Sequence, residues 1–304
     1  MKVYKNLNIS KKHKNSVIAI GNFDGIHLGH QKVIAQAKKK AKSNKLPFGI
    51  ITFEPVPVMF FNRKIKNHRI NSLDQKKSQL KNLKIDFMII IKFNRLFSSL
   101  RAIQFIKKII YDKIKSRYVF VSRNFKFGQK RQGSIKTLKS FENIYNFKTI
   151  ITYPLKIFGK TISSSLIRKK ISTGNFGMAN KLLNRSWSVR GKVIKGNQRG
   201  RKIGFPTCNI KLNDYIVPKL GVYSVVAHND YFKKKGIANI GYRPTFNGQN
   251  LLLEVNIFGI SKNLYNKKIN INFLKFIRPE RKFKNLEDLK KQIKVDIIKA
   301  KKNV

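Results

Sequence analysis

Apolar and polar residues alternate along this chain in two different rhythms. In its first part, short apolar runs are separated by segments with helical spacing. Residues 17–20 read as a buried strand ending at Gly21, and residues 48–53 as a second, broken by Pro55 and Pro57. Residues 87–91, 118–121 and 149–152 continue the series. Between them, residues 31–42 place Val33, Ile34 and Ala37 on one face, and 73–83, 99–111 and 135–145 also predict helices. Strands alternating with helices of about 10–15 residues predict a parallel sheet covered on both faces. Ligands bind such sheets beyond the carboxyl ends of the strands.

Residues 163–171 and 175–183 predict two further helices, split by Gly174. The rhythm then changes. Residues 189–194, 208–212, 222–227, 236–240, 251–258 and 269–273 are short apolar strands separated by Gly, Pro and Asn turns. Close-spaced strands without intervening helices predict an antiparallel six-stranded β-barrel. Residues 286–300 predict a terminal helix, with Leu286, Leu289, Ile293 and Ile297 on one face. The expected fold class is α/β plus all-β, with domains at 1–183 and 184–304.

Charge changes this picture less than it first suggests. Lys and Arg number 67 against 13 Asp and Glu, a formal charge of +54. Such an excess invites a reading as a nucleic-acid binder. Yet Lys outnumbers Arg 52 to 15, whereas geometric recognition of phosphate and bases favours the Arg fork. The charge is also unpatterned: 40 basic residues fall in 1–182 and 27 in 183–304, the same density. A hydrophobic content of 41% excludes a disordered polycation. One cysteine, Cys208, excludes an internal disulfide framework and fits a reducing compartment. Residues 1–15 carry no apolar signal core, and no run approaches the ~18 apolar residues of a membrane span. The expectation is a cytoplasmic protein without a membrane or a specific nucleic-acid partner, monomeric or weakly self-associating.

Two glycine-rich loops carry the candidate chemistry. Gly21-Asn-Phe-Asp-Gly-Ile-His-Leu-Gly-His30 follows the first strand and opens the first helix. There, backbone N–H groups and a helix N-terminus face an anion. His27 and His30, three apart, share a side of the helix start. Such a pair suits nucleotidyl transfer, where an ionised phosphate is the nucleophile and charge on the α-phosphorus must be stabilised. Gly21, Asn22, Phe23, Asp24 and Gly29 would surround the nucleotide. Asp24 reads equally as a turn-forming residue before Gly25. Ser164, Ser165 and Arg168 form a second element, suited to β- and γ-phosphates or simply to capping a helix. The loop holding Asn124 and Phe125 ends a strand with aromatics between cations.

The other loop runs from Gly196 through Arg201, Gly204 and Pro206 to Thr207 and Asn209. Thr207 and Asn209 project from one strand face and offer the hard oxygens that Mg²⁺–ATP accepts. Glu254 lies among Leu252, Asn256 and Phe258 on one face of its strand and is a candidate general base. A solvated outward Glu is the alternative.

Together these motifs resemble the bifunctional riboflavin kinase/FMN adenylyltransferase family, the bacterial FAD synthetases, over almost the full chain. The resemblance includes Gly21–Gln31, Thr52–Pro55, Phe125–Gly128, Ser163–Arg168, Gly200–Asn209, Asn239–Phe246, Leu253–Val255 and Ile277–Glu280. It implies a Rossmann-like N-terminal domain in which FMN attacks the α-phosphate of ATP to give FAD. His27 and His30 would act on the transition state, and Ser164, Ser165 and Arg168 would hold the triphosphate. It implies a C-terminal kinase barrel in which Thr207 and Asn209 hold Mg²⁺–ATP and Glu254 deprotonates riboflavin. Asn124, Phe125 and Arg243 would contact flavin. The chain departs from the family at Val56, Ser122, Asn124, Ser165, Asn256, Gly259, Asn263 and Asn266. These departures bear on affinity and stability more than on reaction type. A monofunctional adenylyltransferase with a degraded kinase domain, or a basic RNA-binding protein, are the alternatives.

Overall fold

The computed structural model describes residues 1–157, 159–196, 200, 203–245, 248–260 and 263–302, with the backbone alone at 243–245 and 248–250. Packing divides the chain into two units: Met1–Ile65 with Lys76–Ser163, and Lys66–Gln75 with Ser164–Val304.

The first unit holds a six-stranded parallel sheet: β1 (Lys2–Tyr4), β2 (Val17–Ile20), β3 (Phe48–Glu54), β4 (Phe87–Lys92), β5 (Tyr118–Ser122) and β6 (Lys148–Thr152), in the order β1-β4-β3-β2-β5-β6. Five of these strands coincide with the apolar runs. The edge strand β1 does not, because only Tyr4 of its three residues is buried. Val17, Ile18 and Ala19 are wholly buried at the centre of the sheet. Since β3 and β5 flank β2 on opposite sides, the loop leaving β2 sits where the strand order reverses, the usual ligand crevice of such sheets.

The connecting helices are α1 (Leu28–Ser43), α2 (Pro57–Phe61), α3 (Leu73–Asn82), α4 (Arg95–Ser98), α5 (Ala102–Phe105) and α6 (Ile135–Ser140). Pro57, read from sequence as a strand breaker, opens α2, where its missing N–H costs no helical bond. The expected helix 99–111 begins at Ala102 and continues as a π-helical stretch, Ile106–Ile114. The expected helix 135–145 stops at Ser140. Beyond it the Phe147 N–H bonds the Glu142 carbonyl, and the Glu142 carboxylate accepts the Thr149 N–H at 2.6 Å. A two-stranded ribbon, β7 (Lys156–Ile157) and β8 (Lys160–Thr161), precedes the second unit.

That unit starts with α7 (Ser164–Ser172) and α8 (Phe176–Leu183). It continues with β9 (Ser188–Lys192), β10 (Cys208–Lys211), β11 (Gly221–His228), β12 (Lys233–Thr245), β13 (Gly248–Ile257) and β14 (Lys268–Arg278). The strands pair antiparallel in the order β10-β13-β12-β11-β14-β9. The Ile194 N–H donates to the Asn209 carbonyl at 2.9 Å and brings the edge strands together, giving a near-barrel. Trp187, Phe176, Tyr223 and Phe273 interlock at 5.0–5.5 Å in its core. The terminal helix α9 (Leu286–Lys302) lays Ile297 and Ala300 over Val222 and Ile237. Its buried Asp296 accepts two bonds from Arg278, both at 2.8 Å.

Residues 66–75 pack with this barrel. The His68 and Arg69 N–H groups donate to the Asp214 carbonyl, and the Arg69 carbonyl accepts from Ile216 N–H. The Trp187 indole donates to the Ile70 carbonyl at 2.6 Å. Gln75 donates to Ser188 and accepts from the Tyr215 hydroxyl. Packing therefore groups 66–75, α7 and α8 with the strands that follow the expected boundary at 183/184.

Candidate active sites

In the first unit, the loop from Gly21 to His30 leaves the carboxyl end of β2. His27 is the N-cap of α1, and its Nδ1 accepts the His30 N–H at 3.3 Å. That role is usually filled by Ser, Thr, Asp or Asn. A lone pair used on Nδ1 puts the proton of the neutral ring on Nε2, which makes that edge a donor. The His30 ring stacks on His27, with centroids 3.7 Å apart and planes 19° apart, so the two imidazoles lie face to face. Phe23 packs against His30 at 5.1 Å. A Cβ at Gly29 would lie 3.1 Å from the His27 ring, so glycine leaves room for that stack.

The loop is strained where it turns. Phe23 and Ile26 adopt left-handed backbone angles, φ +46° and +38°, which is costly for bulky and β-branched residues. Both are buried, as is Asp24. Gln31 Nε2 donates to the Ile26 carbonyl at 2.9 Å. The Asn22 carbonyl accepts from Thr52 Oγ1 at 3.0 Å and from Lys76 Nζ at 2.7 Å. Asn124 is exposed in the turn after β5, and Phe125 is half-buried, stacked on Phe127 at 5.4 Å.

In the second unit, Ser164 and Ser165 are the first residues of α7, half-buried and exposed respectively. Arg168 Nε donates to the His68 carbonyl at 2.9 Å. Gly196 sits against Asn209, where a Cβ would come within 2.3 Å of Asn209 Nδ2. Gly204 turns with φ +88°, and exposed Pro206 leads to half-buried Thr207. Asn209 is buried and pairs in register with Glu254, which pairs on its other side with Asn239. The three side chains therefore share one face of the barrel wall. Leu253, Val255 and Ile257 fill the opposite, core face. Cys208 belongs to that face, and burial pushes its thiol above the ordinary range, which disfavours the thiolate.

Family models match both parts of the chain: FAD synthetase over residues 9–166 and riboflavin kinase over 183–304. The chain belongs to the bifunctional riboflavin kinase/FMN adenylyltransferase family. A member from Buchnera aphidicola subsp. Schizaphis graminum is 42% identical over 97% of this chain and 96% of its own. The Bacillus subtilis member is 38% identical over 95% of this chain and 92% of its own. The crystal structure of a macrolide-efflux protein from Streptococcus pneumoniae superposes with TM-score 0.86 at 30% identity, covering 98% of both chains. Among the described residues no helix is long and apolar enough to cross a membrane. The two activities of the bifunctional family, and FAD synthesis with them, are those of this chain.

Within this bifunctional enzyme some expected residues are not placed. Arg201 lies outside the described residues, as does the side chain of Arg243, whose backbone is in β12. The departure at Asn256 acquires a contact: its Nδ2 donates to the Pro206 carbonyl at 2.7 Å, one residue before Thr207. Sequence reasoning missed Lys76. One lysine in the run Lys76-Lys77 carries no signal that separates it from a solvated neighbour; only its place on α3 does.

Proposed function

We propose that the two reactions divide between the two loops, adenylyl transfer at His27 and His30 and riboflavin phosphorylation beside Glu254. What supports this division is that the stacked histidines and the Asn209–Glu254 pair belong to different packing units. In domain terms, residues 1–183 serve the first reaction and 184–304 the second, with residues 66–75 and 164–183 packed in the second unit.

In the first reaction a phosphate oxygen of FMN bonds to the α-phosphorus of ATP as the α–β bridging bond breaks, releasing pyrophosphate. No general base is needed because the nucleophile is already ionised. His27 and His30 donate N–H groups to the oxygens on which charge builds. Gly21, Asn22, Phe23, Asp24 and Gly29 frame the nucleotide. Ser164, Ser165 and Arg168 hold the triphosphate, and Asn124 and Phe125 meet the flavin.

In the second, Glu254 takes the proton of the terminal ribityl hydroxyl as its oxygen bonds to the γ-phosphorus and ADP departs. Gly196, Arg201, Gly204 and Pro206 shape the ATP loop, and Arg243 faces flavin. Thr207 and Asn209 offer a hydroxyl and an amide oxygen two residues apart, a donor set that fits Mg²⁺, and the missing Cβ at Gly196 leaves Asn209 its space. Bound there, Mg²⁺ supplies charge neutralisation for ATP phosphates. We place the enzyme in the cytoplasm as a monomer or weak homo-oligomer.

The test follows riboflavin, ATP and Mg²⁺ to FMN and FAD by chromatography. His30→Ala should make FMN but no FAD, and Glu254→Gln should make no FMN while still converting added FMN. Loss of both activities in either folded variant would overturn the division.

A further inference from the structure

Lys76 is 1% exposed, the one buried lysine among the described residues of a chain with 52. Taking an ammonium out of water costs several kcal/mol, and Met or Leu would fill the same space without that cost. Its Nζ lies 2.7 Å from the Asn22 carbonyl and 3.4 Å from Thr52 Oγ1. Thr52 donates to the same carbonyl. Asn22 immediately precedes the strained turn at Phe23–Ile26, and Gln31 grips the Ile26 carbonyl at the other end. The turn is therefore clamped on both sides, and His27 follows it directly.

The clamp also sets a direction. In a trans peptide the carbonyl and the following N–H point oppositely. With the Asn22 carbonyl held toward Lys76, the Phe23 N–H points away from it. We infer that Lys76 is a positioning residue for adenylyl transfer, holding the Gly21–His30 loop so that its peptide N–H groups and stacked imidazoles meet the phosphates in register. This rests on the histidine loop being the adenylyl-transfer site. Lys76 itself takes no part in bond making.

The test compares Lys76→Met with wild type and His30→Ala, measuring FMN adenylylation, riboflavin phosphorylation and urea unfolding on the same preparations. A displaced catalytic loop predicts a kcat for adenylylation lower by about 100-fold, with KM for FMN and ATP changed by no more than about threefold. Kinase kcat stays at the wild-type value. Should Lys76→Met fail to fold, Lys76→Gln, which retains a donor without the charge, is measured instead, with a reduced kcat at near-normal KM expected. Wild-type kcat in the folded variant, or a rise in KM alone, overturns the inference. If His30→Ala is inactive while Lys76→Met is fully active, only this inference fails. If both are active, the reading of the loop as the adenylylation site fails with it.

Discussion

Asn209 lies directly opposite Glu254 across β10 and β13, and the backbone carbonyl of the same Asn209 accepts the Ile194 N–H that closes the barrel. One residue thus joins barrel closure to the candidate kinase site. Asn209→Ala keeps the closing bond, which is made by the main chain, and removes the amide oxygen offered to Mg²⁺. The riboflavin kinase kcat/KM for ATP should fall by at least about tenfold, as when a metal site loses a supporting group. Titrating Mg²⁺ in the kinase assay checks this: the variant should need more of it, and an unchanged Mg²⁺ dependence would remove Asn209 from the site.

Gly196→Ala approaches the same side chain from outside. The added methyl would sit 2.3 Å from Asn209 Nδ2, closer than any real contact, so the amide must swing aside. Kinase activity should drop with a raised ATP KM, while adenylylation of supplied FMN stays at its wild-type rate. Steady-state kinetics on both reactions separates this from general damage.

Asn256→Ala removes the 2.7 Å bond to the Pro206 carbonyl. A partly exposed neutral hydrogen bond is worth about 0.5–1.5 kcal/mol, so the kinase kcat/KM should decline about 2- to 10-fold. No decline would mean that Asn256 does not steady the loop ahead of Thr207.

His13 gives the fold a pH dependence of its own. It is buried, stacked on Phe87 at 4.7 Å, with Nδ1 2.7 Å from the Tyr4 hydroxyl. Burial, reinforced by Lys12, holds its pKa below the ordinary value, with Asp86 opposing. The unfolded chain therefore binds the proton first as pH falls. Stability present above about pH 6.5 should be lost progressively as pH drops toward the folded-state pKa. Urea unfolding at a series of pH values measures the slope, and His13→Phe should flatten it. An identical slope in the variant would assign the pH dependence to other groups.

The sheet and the barrel were legible because burial imposes a period on sequence. Residues 17–20 and 87–91 are apolar throughout, and 48–53 apart from Thr52, because they lie inside a two-sided sheet, and 251–258 alternate because they line a barrel wall. The histidine loop was legible because its glycines and paired imidazoles occur together at a strand–helix junction. What escaped had no such pattern. β1 is too short to show a period. The π-helical turn of Ile106–Ile114 keeps the same apolar residues as an α-helix would. Lys76 is chemically identical to its 51 counterparts, and only the fold distinguishes it. The docking of 66–75 rests largely on backbone N–H and carbonyl groups, which every segment possesses, joined by the side chains of Asn67, Arg69 and Gln75.

That docking has a consequence for how the enzyme can be taken apart. The barrel unit is not contiguous in the gene. A fragment beginning at residue 184 would keep all six strands yet lose Ile70, whose carbonyl takes the buried Trp187 indole N–H, and Gln75, which holds Ser188 and Tyr215. A buried donor stranded in this way costs about 1–3 kcal/mol. Gene fission between the two activities would leave part of one partner's packing encoded in the other's polypeptide. The barrel unit is completed by two stretches, 66–75 and 164–183, that the sequence places before residue 184.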